Sequence, residues 1–189
     1  MRGAFSTRIL HEFAKGRAVI LDAGCGNGTE ALSLARRNLE AEVIGYDRDW
    51  RALEIARERR SKHKVENVSF YEANHDDFEL DPRFGMVYST RSLVGQHELP
   101  KIEAGADPLT ASQNIVTARL QKFRRLLAPN GVLVLNWLAT ENRNNQLSEI
   151  AESSGFRHLG TRLGDSTYFE SVRGIPDLRY QSSLIFERR

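Results

Sequence analysis

The chain has 189 residues, 40% hydrophobic and 28% charged, and its formal net charge is +2. This is the composition of an ordinary soluble globular chain sized for one domain, residues 1–189, and the single cysteine, Cys25, excludes an internal disulfide or a cysteine zinc cluster. No apolar run reaches bilayer length, the first 17 residues hold no apolar signal core, and +2 is too mild for a nucleic-acid surface, so a cytoplasmic protein without membrane or nucleic-acid partners is expected.

Strand-like and helix-like segments alternate, the mark of a parallel α/β sheet. Residues 6–15 predict a short amphipathic helix with Ile9, Leu10 and Phe13 on one side. Val19, Ile20 and Leu21 predict a buried strand over 18–22 that closes on Asp22. Gly24, Gly26 and Gly28 follow, and Thr29 or Glu30 opens a helix through Ala31, Leu32, Leu34 and Ala35. Glu42 to Asp47 is a second strand ending on an acid, and Asp49 is the N-cap of a helix from Trp50 to Ser61. Val68 to Ala73 and Phe84 to Ser89 are the third and fourth strands. Val116, Leu120, Phe123 and Leu127 recur at spacings of four, three and four, which predicts a helix over 111–127. Pro129-Asn130-Gly131 predicts a tight turn before a fifth strand, Val132 to Trp137. Leu147, Ile150 and Ala151 mark a helix stopped by Gly155. Phe156 to Leu163, Thr167 to Val172 and Arg179 to Phe186 read as late strands, with Gly174 to Asp177 as the turn before the last. The basic groups Arg36-Arg37, Arg57 to Arg60 and Arg124-Arg125 fall on helices and read as solvated faces.

Glycines at every second position between a strand and a helix make a nucleotide-sized cradle. They permit positive φ and remove the Cβ atoms that would hold a ligand off the backbone. The dinucleotide fingerprint is G-x-G-x-x-G; here the third glycine arrives one residue early. Asp22, two residues before the first glycine, is awkward for a pyrophosphate and suits a ligand bearing an ammonium group. The run Asp22-Ala23-Gly24-Cys25-Gly26-Asn27-Gly28 resembles the first motif of the class I S-adenosylmethionine-dependent methyltransferases, E/D-x-G-x-G-x-G, at every fixed position. The order of elements resembles that family's core over nearly the whole chain. The resemblance implies an α/β, Rossmann-like methyltransferase fold: a mostly parallel seven-stranded sheet with an antiparallel last strand and helices on both faces. It also implies S-adenosyl-L-methionine as cofactor.

Carried over residue by residue, the resemblance places the cofactor on Asp22, Ala23, Gly24, Cys25, Gly26 and Gly28. Asp47 ends the second strand 19 residues after Gly28, where a carboxylate offers acceptors to both ribose hydroxyls. Asp49 as the helix cap leaves Asp47 free. Arg48 stands where the family usually packs an apolar residue on adenine; its guanidinium plane can stack there or point to solvent. Asn74 replaces the family's usual acid and keeps an acceptor for the adenine amino group. His75 would offer its backbone N–H to the ring, while its side chain reads as an exposed loop histidine. Ser89 and Thr90, at the carboxyl end of the fourth strand, would line the methionine side or the substrate entry. Gly85 stands in place of a frequent Asp, and Leu126 to Gly131 is similar to the family's L-L-x-P-G-G turn.

A sulfonium methyl is already activated, so the chain need only hold a nucleophile in line behind it. Proximity of that kind is worth about 7–11 kcal/mol in favourable cases, and a base is needed only for a protonated nucleophile. Arg91 to Thr110, without periodicity, is the expected substrate segment, and His97, between Gln96 and Glu98, is the candidate catalytic base. The alternative for that cluster is a helix cap or an exposed surface group; it has no metal-site spacing, and no metal is expected. Cys25 reads as small filler rather than a catalytic thiol. Fewer than twenty residues precede the core, which favours an open site. Tyr88-Ser89-Thr90-Arg91, in place of D/N-P-P-F/Y, argues against the exocyclic amines of nucleic-acid bases. A small-molecule acceptor is expected, with a protein acceptor or partner as the other possibility. Two further readings stand beside it: a cofactor-binding regulatory partner without catalysis, and an NAD-dependent oxidoreductase, which glycine spacing and Asp22 disfavour.

Overall fold

The structure is a computed structural model that describes residues 4–80, 83–90, 92–93, 112–139, 141–163 and 180–189; for 4–7, 137–139, 141–143, 163, 180 and 181 it describes backbone alone. In chain order the described elements are α1 (Ala4–Ala14), β1 (Val19–Ala23), α2 (Thr29–Arg37), β2 (Glu42–Asp47), α3 (Trp50–Lys62), β3 (Val68–Glu72) and β4 (Phe84–Thr90). They continue with α4 (Gln113–Leu126), β5 (Leu127–Ala139), α5 (Glu141–Ser153), β6 (Phe156–Leu163) and β7 (Tyr180–Arg188). The strand expected at Thr167 to Val172 lies outside the described residues.

The seven strands form one sheet in the order β3-β2-β1-β4-β5-β7-β6. The first five pair in parallel, and β7 runs antiparallel between β5 and β6. Alternation along each strand feeds two cores. Ile20, Val43, Met86, Val134 and Ile185 pack with Leu10 of α1, Leu34 of α2 and Leu53 of α3. Leu21, Ile44, Val87, Leu133 and Leu184 pack with Phe123 of α4 and Leu147 of α5. Both faces of the sheet are therefore covered, which is why its strands read as nearly unbroken apolar runs. The chain winds outward in opposite directions from β1 and β4, so the crevice at their carboxyl ends is the topological switch point where open α/β sheets bind ligands.

The turn expected at Pro129-Asn130-Gly131 is an excursion inside β5, not a boundary before it. Phe84 pairs with Leu127 and Met86 with Val132, so β5 advances five residues while β4 advances two. Asn130 takes a left-handed φ of 59° there. Gly85, opposite this bulge, has a structural reason. An added Cβ would lie 3.1 Å from Cδ of Arg17, whose Nη1 donates to the Asn130 carbonyl at 3.4 Å.

Gly28, the N-cap of α2, has φ 73°, and a Cβ there would come within 2.8 Å of both Ala56 Cβ and Phe70 Cζ. Gly28→Ala is expected to destabilise the fold by roughly 2–4 kcal/mol, from overpacking and the positive φ together. Urea unfolding checks this; a loss below about 0.5 kcal/mol contradicts the close contact of the turn with α3 and β3.

Candidate cofactor site

Between β1 and α2 the backbone turns through three left-handed glycines, Gly24 (φ 78°), Gly26 (φ 51°) and Gly28 (φ 73°). The end of β2 holds this turn. The Tyr46 carbonyl accepts from the N–H groups of Gly24 and Cys25, both at 2.9 Å, and Asp47 Oδ2 accepts from the Gly26 N–H at 2.8 Å. The three glycines differ in purpose. A Cβ on Gly24 would collide with the Ser92 side chain, one on Gly28 with the core, and one on Gly26 would meet nothing within 4 Å among the described residues. The space over Gly26 is thus open, as a ligand-facing position requires. The Cys25 thiol, 5% exposed, is buried under the turn, and burial pushes its pKa up, with Asp22 and Asp47 adding to the shift. It is filler, without the lowered pKa of a nucleophilic thiol.

Asp22 is 2% exposed, between Gly45 and Tyr88 in sheet register. Its Oδ2 has no hydrogen-bond partner among the described residues, and neither has the buried Tyr88 hydroxyl. Burial raises the Asp22 carboxyl well above its ordinary range; the Tyr88 hydroxyl is near enough to oppose this without closing a hydrogen bond, while Glu30 and Asp47 reinforce it. A buried carboxylate oxygen left unpaired is costly in isolation. It is also a ready acceptor for a cation.

Asp47 is not free, as its position had suggested. Besides the Gly26 bond, its Oδ1 accepts from the Asp49 N–H at 2.9 Å, while Asp49 caps α3 by accepting from Arg51 and Ala52. Each Asp47 oxygen retains a lone pair. Arg48 is exposed. Asn74 Oδ1 accepts from the N–H groups of Asp76 and Asp77 at 2.7 and 2.9 Å, and its Nδ2 donates to Asp77, so its side chain caps a local turn. The His75 side chain is not an exposed loop group. It is half-buried, with Nδ1 2.7 Å from the Tyr46 hydroxyl and Nε2 2.7 Å from the Ser92 carbonyl. Ser89 is buried and reaches Ser92 Oγ at 2.7 Å, and Ser92 Oγ donates to the Ala23 carbonyl at 2.6 Å.

The structure therefore gathers Asp22, Ala23, Gly24, Cys25, Gly26, Gly28, Asp47 and Ser89 at the switch point. His97, with Gln96 and Glu98, lies outside the described residues. Ser92 and Arg119 escaped the sequence reading. Arg119 is 2% exposed, and its Nη1 donates to the Leu93 carbonyl at 2.6 Å; a buried arginine on an otherwise apolar helix face was the available signal. Two hollows, about 620 Å³ between α4 and the loop after β3 and about 560 Å³ between α2 and α3, are not lined by Asp22, Gly26 or Asp47.

A family model described as a methyltransferase domain matches residues 14–163. The chain belongs to the class I S-adenosylmethionine-dependent methyltransferases. The release factor glutamine methyltransferase of Buchnera aphidicola subsp. Acyrthosiphon pisum is 33% identical over 106 residues, 55% of this chain and 38% of that protein. The chain spans less than half the length of the curated relatives it matches. Among solved structures, the [4+2]-cyclase SpnF superposes with a TM-score of 0.72 at 17% identity, over 97% of this chain and 80% of SpnF. The N-methyltransferase NodS of Bradyrhizobium japonicum WM9, in complex with S-adenosyl-L-homocysteine, gives 0.71 at 14% identity, over 97% and 84%. At these identities the likeness is one of fold, and a cyclase among the neighbours shows that the fold alone does not fix a reaction. S-adenosylmethionine is the family's cofactor, and the residues present fit it: an unpartnered buried carboxylate oxygen for a cation, and open space over Gly26.

The Asp22 carboxyl binds its proton more tightly in the folded chain than in the unfolded one. Its contribution to stability is full below the ordinary carboxyl range and is lost as pH rises toward the raised value. Asp22→Asn cannot ionise, so its unfolding free energy minus that of the wild type should grow as pH rises from about 4. Urea titrations across pH read this difference, and a constant difference contradicts the burial of the charge.

Proposed function

We propose that this chain transfers the methyl group of S-adenosylmethionine to an acceptor seated at the carboxyl edge of β4 and β5. The observation that carries the reading is the unpartnered Asp22 oxygen beneath an open glycine turn. When bound, the cofactor supplies a methyl group on sulfonium with a neutral thioether as leaving group. Asp22 holds the ammonium group of the methionine moiety, and the charge pair replaces the carboxyl proton. Ala23, Gly24, Cys25, Gly26 and Gly28 present backbone to the ligand. Asp47 keeps the Gly26 N–H and turns its remaining lone pairs to the ribose hydroxyls. Arg48 and the backbone of Asn74 and His75 border the adenine, and Ser89 and Thr90 shape the methyl side. His97 takes a proton where the acceptor arrives protonated.

The acceptor in this reading is a small molecule. The named substrate of the Buchnera relative, a release factor, supports a protein acceptor as the second reading. A screen of labelled S-adenosylmethionine against a metabolite fraction and a protein fraction separates the two; label in neither fraction, with cofactor binding intact, supports the regulatory-partner reading instead.

Calorimetry tests the cofactor assignment. Because Asp22 gives up its proton to accept a cation, S-adenosylmethionine binding by the wild type should release a proton at pH values between the ordinary carboxyl range and the raised one, seen as a dependence of the heat on buffer. Asp22→Asn should lose that release and most of the affinity. Asp47→Ala should weaken binding by about 1.5–3 kcal/mol, the range for hydrogen bonds to a charged group. Undiminished affinity in Asp22→Asn sinks the assignment. Once an acceptor is known, His97→Ala should lower turnover and leave cofactor affinity within about twofold; normal turnover removes His97 from the mechanism.

A further inference from the structure

From this cofactor site we infer that His75 is a positioning residue: it holds the Ser92 carbonyl so that the Ser92 hydroxyl stays on the Ala23 carbonyl and fixes the glycine turn from the β4 side.

The hydrogen positions follow from the partners. A carbonyl only accepts, so His75 Nε2 carries a proton and donates to Ser92 O at 2.7 Å. In the neutral ring Nδ1 then accepts, and the Tyr46 hydroxyl donates to it at 2.7 Å. Ser92 has one hydroxyl proton, given to Ala23 O at 2.6 Å, so it accepts from Ser89 at 2.7 Å. The imidazole is wedged edge-on between Tyr46 and Phe123, with ring centroids 5.5 and 5.9 Å away, and Tyr46 stacks on Phe78 at 4.0 Å.

These bonds close a circuit. The Tyr46 carbonyl takes the N–H groups of Gly24 and Cys25, while the hydroxyl of the same residue takes His75. His75 takes Ser92, and Ser92 returns to Ala23, packing its side chain over the bare Gly24. One residue of β2 thus grips the turn by two routes, direct and through the segment after β4. The turn needs both. Glycines in left-handed conformations lose more freedom on ordering than other residues, and a site left loose must be ordered at the expense of binding. Every route from β2 alone restrains one side of the turn; Ser92 restrains the other. The His75 side chain reaches the turn through Ser92, whose hydroxyl donates to the Ala23 carbonyl, and through the Tyr46 hydroxyl.

Two substitutions separate this role from simple packing. His75→Gln sets an amide N–H where Nε2 was and can still donate to Ser92 O. His75→Asn sets its amide where Nδ1 was and reaches Tyr46 only. S-adenosylhomocysteine affinity by calorimetry should fall roughly tenfold in His75→Asn and stay within about threefold in His75→Gln, because only the first loosens the preorganised turn. Ser92→Ala should match His75→Asn, and the double variant should lose no more than either, the behaviour of one coupled unit. Amide exchange at Gly24 and Cys25 in the ligand-free protein should be faster in His75→Asn and Ser92→Ala than in His75→Gln. Equal affinity and exchange in the Asn and Gln variants, or additive losses, overturn the inference. Exchange needs no ligand: a wild type that binds no S-adenosylhomocysteine refutes the cofactor reading, while the exchange pattern still decides the clamp. If His75→Asn does not fold, Ser92→Ala carries the comparison, and normal exchange there overturns the inference.

Discussion

A carboxylate buried at the end of a central strand, with one oxygen unpartnered, is the constraint around which this molecule is arranged. Asp22 sits in register between Gly45 of β2 and Tyr88 of β4. Taking a charge out of water costs more than a fold of this size can waste, so such a group is tolerated where a ligand completes it. In the proposed reading, the turn and the strands around Asp22 serve that completion. The glycine turn above it exposes backbone, and the two cores beneath hold the strand ends that carry the turn in fixed register.

The turn is soft by composition and firm by attachment. Tyr46 and Asp47, consecutive residues at the end of β2, supply acceptors for three N–H groups of the turn. From the β4 side come Ser89 and Ser92, the latter tied to His75. Arg119 brings α4 to the same strip through the Leu93 carbonyl. Sheet neighbours on both sides of β1 therefore meet at one short turn, a consequence of the strand order reversing there.

The fold was legible because its signals are local and periodic. Apolar runs marked the strands, Asp49 announced α3, and the seven residues from Asp22 to Gly28 carried the family. Asp47 was found by position, but its attachment to Gly26 was not, since a hydrogen bond across 21 residues leaves no spacing pattern. The side chain of His75 was misread for the same reason: its partners lie 29 residues before it and 17 after. Pro129-Asn130-Gly131 looked like a boundary because turn residues also make bulges, and only pairing with β4 tells the two apart. The acceptor left no trace in sequence, as proximity catalysis asks for no fixed catalytic residue.

The central claim is that Asp22 awaits a cation. Its side-chain carboxyl carbon, labelled with carbon-13 and followed by NMR against pH, tests this most directly. Without ligand the signal should titrate well above the ordinary carboxyl range. With saturating S-adenosylhomocysteine, whose ammonium group is the same, Asp22 should stay ionised across that interval. A titration that saturating ligand leaves unmoved would contradict the account.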